Sequence, residues 1–230
     1  EILLSRDNYR HLKKRIEQTA EQAVGHLSAW AAVSAFQPAF FEEAFGHPDD
    51  EVHLKPLPLS DGYALSFKGQ IDRLDLHECA PYYLILDYKT GRIKALRPDI
   101  WADDAFWDAL DPEKAAEAAS EPDPEHDFLP IMAQRIPTVQ LLYYCYLYGQ
   151  ATGKPVLDAA FVALGEDGGE RPLFGKGMTI EERERALSLI PRLIGFILLH
   201  MELCPEFRPR EGAHCRWCSW RNVCIISSQQ

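Results

Sequence analysis

Residues 69–91, GQIDRLDLHECAPYYLILDYKTG, have the pattern of two β-strands folded back on each other, and this hairpin carries charges among residues that favour burial. The apolar run YYLIL leads directly into Asp87 and Lys89, so these charges stand at the end of a buried strand, where an unpaired charge is expensive. If the hairpin closes symmetrically about Cys79 and Ala80, the residue opposite Asp87 is Asp72. The hairpin therefore predicts two facing carboxylates beside a lysine.

The predicted cluster has the composition of a metal site. Alternate residues of a strand project from one face, so Asp87 and Lys89 project together while Tyr88 faces away. Facing Cβ atoms lie about 4.5–5.5 Å apart, and two carboxylates at that separation repel unless a cation lies between them. Oxygen ligands suit Mg²⁺ or Mn²⁺. The lysine can then orient a water or stabilise the charge that develops on a phosphate under attack.

A simpler interpretation is that Asp72 forms a surface ion pair with Arg73 or Lys89 on a half-exposed sheet. The strand alternation argues against it, because Arg73 and Asp75 share the face opposite to Asp72 and can pair with each other. We therefore favour the metal site.

The rest of the chain alternates between helical and extended patterns. We predict helices over 6–35, 137–153 and 179–203, and strands over 38–46, 62–77, 81–89 and 155–164. The last helix begins at Thr179, with Glu182 in the capping-box position. This order predicts an α/β fold, a mixed β-sheet flanked by helices.

The acidity of the chain is concentrated in one segment. Of the net charge of −11, residues 99–127 contribute −10, from eleven Asp or Glu and a single Lys. This segment is rich in Ala and Pro and lacks a sustained apolar face, so we expect a mobile or partly helical surface loop. The remainder is nearly neutral, so the overall charge does not exclude a phosphate-bearing partner.

A chain of 230 residues suits one large domain, or a domain with an appendage. It contains no apolar run long enough for a bilayer, no signal-peptide pattern and no initiator Met, so we expect a piece of a longer cytoplasmic protein with no membrane partner.

Three motifs in succession, GQIDRLD, LDYKTG and QLLYY, resemble those of the RecB-like branch of the PD-(D/E)xK nucleases. The resemblance implies a restriction-endonuclease-like fold that hydrolyses DNA phosphodiesters with a divalent metal. It further implies that Asp72, Asp87 and the backbone carbonyl of Tyr88 bind the metal, and that Lys89 is the catalytic lysine.

The resemblance extends to Gln140 and Tyr144, which match the Q-xxx-Y helix of that family. They stand at positions i and i+4, on one helical face, so both can reach the same site. Taken alone, the pair fits equally well an amphipathic core helix with a polar edge.

One family feature is missing. RecB-like nucleases usually carry a metal-binding histidine on a helix before the first strand, and His11 and His26 lie on such a helix without the expected GxxxH setting. The stretch FQPAFFEEAFG resembles the segment that precedes the hairpin in this family. Glu42 matches its acidic position, with Glu43 less favoured, and the alternative for Glu42 is a solvent-facing strand residue.

The C-terminal motif CRWCSWRNVC places Cys215, Cys218 and Cys224 in a C-x2-C-x5-C pattern. A tetrahedral metal site needs four ligands, so one position is open. The tail is similar to the C-terminus of AddB-type helicase-nuclease subunits, which implies a 4Fe-4S cluster completed by a cysteine upstream of this sequence. Zinc completed by Cys204 or His214, and free thiols, are the alternatives.

The resulting hypothesis is a nuclease core over residues 1–203, with an acidic insertion at about 97–130 and a cysteine-rich tail over 204–230. The resemblance implies a bacterial, Mg-dependent exonuclease that acts on single-stranded DNA in break repair and recombination, beside a helicase-nuclease partner subunit. Two alternatives are a degenerate nuclease fold that binds DNA or acts as a scaffold, and an iron-sulfur or zinc interaction module with an incidental hairpin.

Overall fold

The computed structural model describes residues 13–25, 36–46, 57–58, 64–94, 96–111, 114, 128–175, 177–203, 215–216 and 218–219. Residues 13–25 form helix α1, inside the predicted helix over 6–35, whose other residues lie outside the described ranges. Within the described residues, no helix combines the length and the apolarity needed to cross a bilayer.

Five strands form a mixed sheet in the order β1-β4-β5-β6-β7, and β2 and β3 form a separate two-stranded pair. Only the β5–β6 pair is parallel among the neighbours of the large sheet. The strands are β1 (Phe36–Phe45), β2 (Leu57–Pro58), β3 (Ala64–Leu65), β4 (Gly69–His77), β5 (Tyr83–Tyr88), β6 (Val156–Val162) and β7 (Glu170–Pro172). This sheet confirms the predicted α/β, restriction-endonuclease-like fold.

Four more helices follow α1 in the chain: α2 (Asp104–Ala109), α3 (Leu129–Arg135), α4 (Gln140–Thr152) and α5 (Ile180–Leu203), and all four contribute buried side chains to the main core. A parallel strand pair needs a crossover connection, and α4 belongs to the one between β5 and β6. Helix α4 ends at Gly153, whose φ of 64° is left-handed. Helix α5 begins with the predicted capping box, since Thr179 and Glu182 each accept a hydrogen bond from the other's backbone N–H.

Both faces of the central strands are buried. On one face, Ile85 and Phe161 belong to the main core together with residues of α4 and α5. On the other face, Leu84 and Leu86 form a smaller cluster, against which Ala23 of α1 packs. The continuous apolar run before Asp87 is therefore the pattern of a strand that is covered on both sides.

The segment that begins at residue 98 differs from the expected surface loop. A 3-10 turn (Pro98–Ala102) and α2 bury five large apolar side chains, each no more than 8% exposed: Ile100, Trp101, Phe106, Trp107 and Leu110. The two tryptophan rings stack with their centroids 5.5 Å apart. The expected surface position is thus wrong for residues 98–110, whereas the expected partly helical structure is confirmed there. Residues 112–113 and 115–127 lie outside the described ranges.

The acidic residues of this segment are held by cations of the helices. Asp103 pairs with Arg135, Asp104 with Arg185, and Asp108 with Arg192. The apolar residues lie on two short helical pieces separated by Asp103, so no single helical period connects them. For this reason the sequence pattern showed no sustained apolar face.

Candidate active site

The hairpin closes in the register expected from its sequence. Strands β4 and β5 pair Arg73 with Leu86 and Leu74 with Ile85, and the same register brings Asp72 opposite Asp87. The backbone N–H of Tyr88 donates a hydrogen bond to Asp72 Oδ2 at 2.8 Å. The two carboxylates therefore lie side by side at the end of β5.

Asp87 is 1% exposed, and its two oxygens have different surroundings. Oδ1 accepts a hydrogen bond from Gln140 Nε2 at 2.9 Å. Oδ2 lies 2.5 Å from Lys89 Nζ in an ion pair, but within the described residues it accepts no hydrogen bond of ordinary geometry. Burial raises the pKa of the Asp87 carboxyl; Lys89 opposes this shift and the charge of Asp72 adds to it.

Helix α4 brings the Q-xxx-Y pair to the same place. Besides its bond to Asp87, Gln140 Nε2 lies 2.9 Å from Tyr144 Oη, one helical turn along α4. Gln140 is the first residue of the helix, and its backbone N–H donates to Thr138 Oγ1 at 3.3 Å. The structure thus gathers the side chains of Asp72, Asp87, Lys89, Gln140 and Tyr144 around one point, while their chemical roles remain predictions.

Lys89 has a neighbour that the sequence did not single out. Its Nζ lies 5.3 Å from the ring centroid of Phe161, a distance typical of a cation–π contact, and its side chain is 33% exposed. Phe161 pairs directly with Asp87 across the parallel strands β5 and β6. Within its own sequence Phe161 belongs to an ordinary apolar run, so only the strand register could have identified it.

Glu42 adds a third carboxylate, on β1, next to Asp72 and Asp87. Phe41 pairs with Arg73 and Glu43 with Ile71, a register that brings Glu42 across from Asp72. Its φ of 53° is left-handed, which is uncommon for a residue other than glycine, and its exposed side chain accepts a hydrogen bond from Gln70 Nε2 at 2.5 Å. Glu42 is therefore placed beside the site, and its role there stays a prediction.

The other face of the hairpin holds Arg73, one of the two cations that the simpler interpretation pairs with Asp72. Arg73 donates two hydrogen bonds to Asp75, each 2.6 Å long, and a third to the Tyr88 hydroxyl at 3.1 Å. Arg73 and Asp75 are both fully buried. Because they satisfy each other there, Asp72 has no ion pair with Arg73.

These residues fit a divalent metal. Asp72, Asp87 and the backbone carbonyl of Tyr88 are oxygen donors, and the partner of the buried Oδ2 of Asp87 among the described residues is the ammonium of Lys89. The described residues contain no group of three or more His, Cys, Asp or Glu side chains that could hold a metal ion. Mg²⁺ usually keeps several waters and needs only one or two carboxylates, so this donor set is sufficient. His11 and His26 lie outside the described residues.

The cysteine tail is described only in part. Residues 215–216 form a short 3-10 turn, and the backbone N–H of Cys218 donates to the carbonyl of Cys215 at 3.4 Å. Cys224 lies outside the described residues, as do Cys204 and His214. The 4Fe-4S and zinc interpretations both remain open.

The chain is similar in sequence to known nucleases and nuclease subunits. A family model described as the PD-(D/E)XK nuclease superfamily matches residues 1–225. Three curated relatives are each named as a subunit of an ATP-dependent helicase/deoxyribonuclease. The chain is 37% identical over 103 residues to the one from Desulforamulus reducens (44% of this chain), 33% identical over 93 residues to that of Oceanobacillus iheyensis (40%), and 39% identical over 94 residues to that of Anoxybacillus flavithermus (39%). Each match spans 8% of the relative's length.

Proposed function

The chain belongs to the PD-(D/E)XK nuclease superfamily, and we propose that it is a metal-dependent deoxyribonuclease domain that hydrolyses DNA phosphodiester bonds. The observation that carries this proposal is the facing pair Asp72 and Asp87, with Lys89 and Gln140 both in contact with Asp87. The relatives named as helicase/deoxyribonuclease subunits support a DNA substrate and a helicase-nuclease setting.

Mg²⁺ or Mn²⁺ would be held by Asp72, Asp87 and the carbonyl of Tyr88, and when bound it supplies Lewis-acid polarisation of the phosphate and a more acidic water. Gln140 holds Asp87 in orientation through its 2.9 Å hydrogen bond. The ammonium of Lys89, partly exposed beside Asp87, is placed to stabilise the negative charge that develops on the phosphate oxygens. Tyr144 in turn orients the Gln140 amide.

The wider setting follows from the relatives' names and from the motif resemblance. We propose exonucleolytic action on single-stranded DNA, beside a helicase-nuclease partner subunit, in the repair and recombination of DNA breaks. Such a protein would work in the bacterial cytoplasm. Each of these statements concerns activities of the relatives as whole proteins, and the match of this chain to the relative from Desulforamulus reducens covers 8% of that relative's length.

A cluster in the tail is a separate proposal. Cys215, Cys218 and Cys224 would fill three positions of a 4Fe-4S cluster, and a fourth cysteine from outside these 230 residues would complete it. The isolated chain, purified in air, should then lack the broad visible absorbance of a cluster, and a longer piece with an upstream cysteine should acquire it. A full, stable cluster in the isolated chain would contradict this and point to Cys204, whereas stoichiometric zinc would favour the zinc site.

The nuclease proposal is tested with a labelled single-stranded oligonucleotide in the presence of Mg²⁺, Mn²⁺ or a chelator. Cleavage should require the metal and should disappear in Asp87→Asn, which keeps the shape of the side chain but loses its charge. Glu17→Gln makes the same kind of change at an exposed position of α1, where Glu17 pairs with Lys13 at 3.7 Å, and should cleave normally. Metal-independent cleavage would contradict the proposal, and DNA binding without cleavage would support the degenerate fold.

A further inference from the structure

The segment that follows the active-site strand is basic in an acidic protein. Residues 89–97, KTGRIKALR, are called the basic segment here; they contain four cations, Lys89, Arg92, Lys94 and Arg97, and no acidic residue. The net charge of the whole chain is −11. This run of positive charge begins at Lys89, which pairs with Asp87 in the candidate active site.

The described residues of the basic segment, 89–94 and 96–97, are held in place by core packing and by hydrogen bonds. Leu96 is 8% exposed and belongs to the main core, and Ile93 packs against that core. Both side chains therefore attach the segment to the main core. The backbone N–H of Ile93 donates to Glu166 Oε1 at 3.2 Å, and the N–H of Gly165 donates to the carbonyl of Lys89 at 3.1 Å. The basic segment, which carries the cations, is therefore hydrogen-bonded to the loop between β6 and β7.

Two cations of the basic segment, Arg92 and Lys94, differ from several arginines elsewhere in the described part of the chain. Arg92 and Lys94 are exposed, and within the described residues neither pairs with a carboxylate. Arg97 pairs with Asp99 at 3.5 Å, but both side chains are largely exposed, at 84% and 63%, so this contact is weak. By contrast, the arginines that face the segment after residue 98 and the β6–β7 region are each paired with an aspartate: Arg135, Arg171, Arg183, Arg185 and Arg192.

We propose that the basic segment is a phosphate-binding track for the DNA strand that occupies the active site, with Arg92 and Lys94 contacting phosphates on one side of the scissile bond. This inference rests on the proposed nuclease function and deepens it. The segment leaves the end of β5 over the loop that follows β6, which implies that the strand continues over β6 and β7 and away from β1. An unpaired cation on a fixed backbone, next to the site where a phosphate must sit, is suited to this contact.

The track has a quantitative signature. For single strands, the logarithm of the binding constant falls with the logarithm of salt concentration by about 0.7 for each phosphate contact. Loss of two contacts should therefore make this slope shallower by about 1.4. It should also weaken binding roughly ten- to fiftyfold at low salt.

The test compares the parent with the double variant Arg92→Gln/Lys94→Gln. Fluorescence anisotropy with a labelled single-stranded oligonucleotide, in chelator and over a range of NaCl, gives the affinity and the salt slope. Single-turnover cleavage at saturating DNA gives the rate. The matched control is Lys13→Gln/Lys14→Gln, two exposed cations of α1, a helix that packs on the other face of the sheet. We expect the shallower slope only in the first variant, and we expect the control to cleave within about twofold of the parent rate.

A second arm locates the contact along the strand. Oligonucleotides with uncharged methylphosphonate linkages on the 5′ or on the 3′ side of the cleavage point should weaken binding to the parent on one side only, and that side should have no effect in the double variant. Equal slopes for parent and variant, or equal sensitivity of both to the linkages, would overturn the track. If the parent binds as expected but never cleaves, the nuclease proposal fails while the track stands.

Discussion

Tyr88 donates its backbone N–H to the Asp72 carboxylate across the hairpin, at 2.8 Å, so the main chain rather than a counter-charge orients the carboxylate that faces Asp87. The orientation of Asp72 is therefore a property of the strand register. The two carboxylates together with the ammonium of Lys89 carry a net negative charge. This negative charge favours the binding of a divalent cation.

Asp87→Ala should abolish metal-dependent cleavage while the fold survives. Removal of this buried carboxylate leaves the metal with one fewer ligand, and it also removes the partner of both Lys89 and Gln140. Cleavage of a labelled oligonucleotide and the thermal midpoint of unfolding are measured together. A variant that cuts DNA as fast as the parent would mean that the active site lies elsewhere.

Lys89→Ala should leave metal affinity largely intact and slow cleavage by roughly a hundred- to a thousandfold, the scale for losing one group that stabilises charge in the transition state. Metal titration by calorimetry and single-turnover cleavage separate the two effects. A large loss of metal binding with little change in rate would assign this lysine a different role.

Gly165→Ala should disturb the site through the backbone. A Cβ at Gly165 would lie 2.0 Å from the carbonyl oxygen of Thr90, the residue after Lys89, so one of the two backbones must move. Gly91→Ala is the matched control, because a Cβ there meets no described atom within 4 Å. We expect slower cleavage and a lower thermal midpoint for Gly165→Ala alone. Identical behaviour of the two variants would show that this close approach is unimportant.

Trp107→Ala should destabilise the protein by about 3–5 kcal/mol, the usual range for truncating a buried aromatic residue. The Trp107 side chain is 1% exposed, stacks on Trp101 and donates its indole N–H to the carbonyl of Ile100 at 2.8 Å. Urea unfolding measures the change. Asp108→Asn, at the exposed neighbouring position, should stay within about 0.5 kcal/mol of the parent. A small effect of Trp107→Ala would restore the surface-loop interpretation of this segment.

The charge of −10 on residues 99–127 should depress DNA affinity by repelling phosphates, and the burial of Trp107 limits how this can be tested. Deletion of residues 100–128 would remove the buried Trp107 with the charges, so loss of folding would mask any effect on DNA affinity. Amide replacement of the six acidic residues of this segment that lie outside the described ranges, Glu113, Glu117, Glu121, Asp123, Glu125 and Asp127, removes charge and keeps Trp107.

Stability should depend on pH through Asp158. Burial raises the pKa of Asp158 to about 6, although its ion pair with Arg183 and its hydrogen bonds from backbone N–H groups oppose the shift. An ordinary aspartate has a pKa of about 3.9. Because the folded state then holds the proton more tightly than the unfolded state, the stabilising contribution is complete below about pH 4 and is lost as the pH rises through about 6.

The measurement is urea unfolding of the parent and of Asp158→Asn at several pH values. Relative to the variant, which cannot ionise there, the free energy of unfolding of the parent should fall by roughly 2–3 kcal/mol between pH 4 and pH 6.5. A difference that is constant with pH, or that grows in favour of the parent, would contradict the raised pKa.

The sequence by itself determined the local parts of this protein. The register that brings Asp72 opposite Asp87 follows from the closure of one short hairpin, and strand alternation separates Arg73 and Asp75 from the site. The capping box at Thr179 is equally local. Such features depend on residues a few positions apart or on one tight turn, so spacing alone predicts them.

Only the tertiary structure decided which distant residues meet. Gln140 reaches Asp87 across 53 positions because α4 packs over the end of β5, and Phe161 lies under Lys89 because β6 pairs in parallel with β5. The burial of Trp101 and Trp107 likewise depends on the helices that receive them. These contacts arise from the packing of whole surfaces against each other, and no short-range periodicity in the chain encodes which surface each side chain will meet.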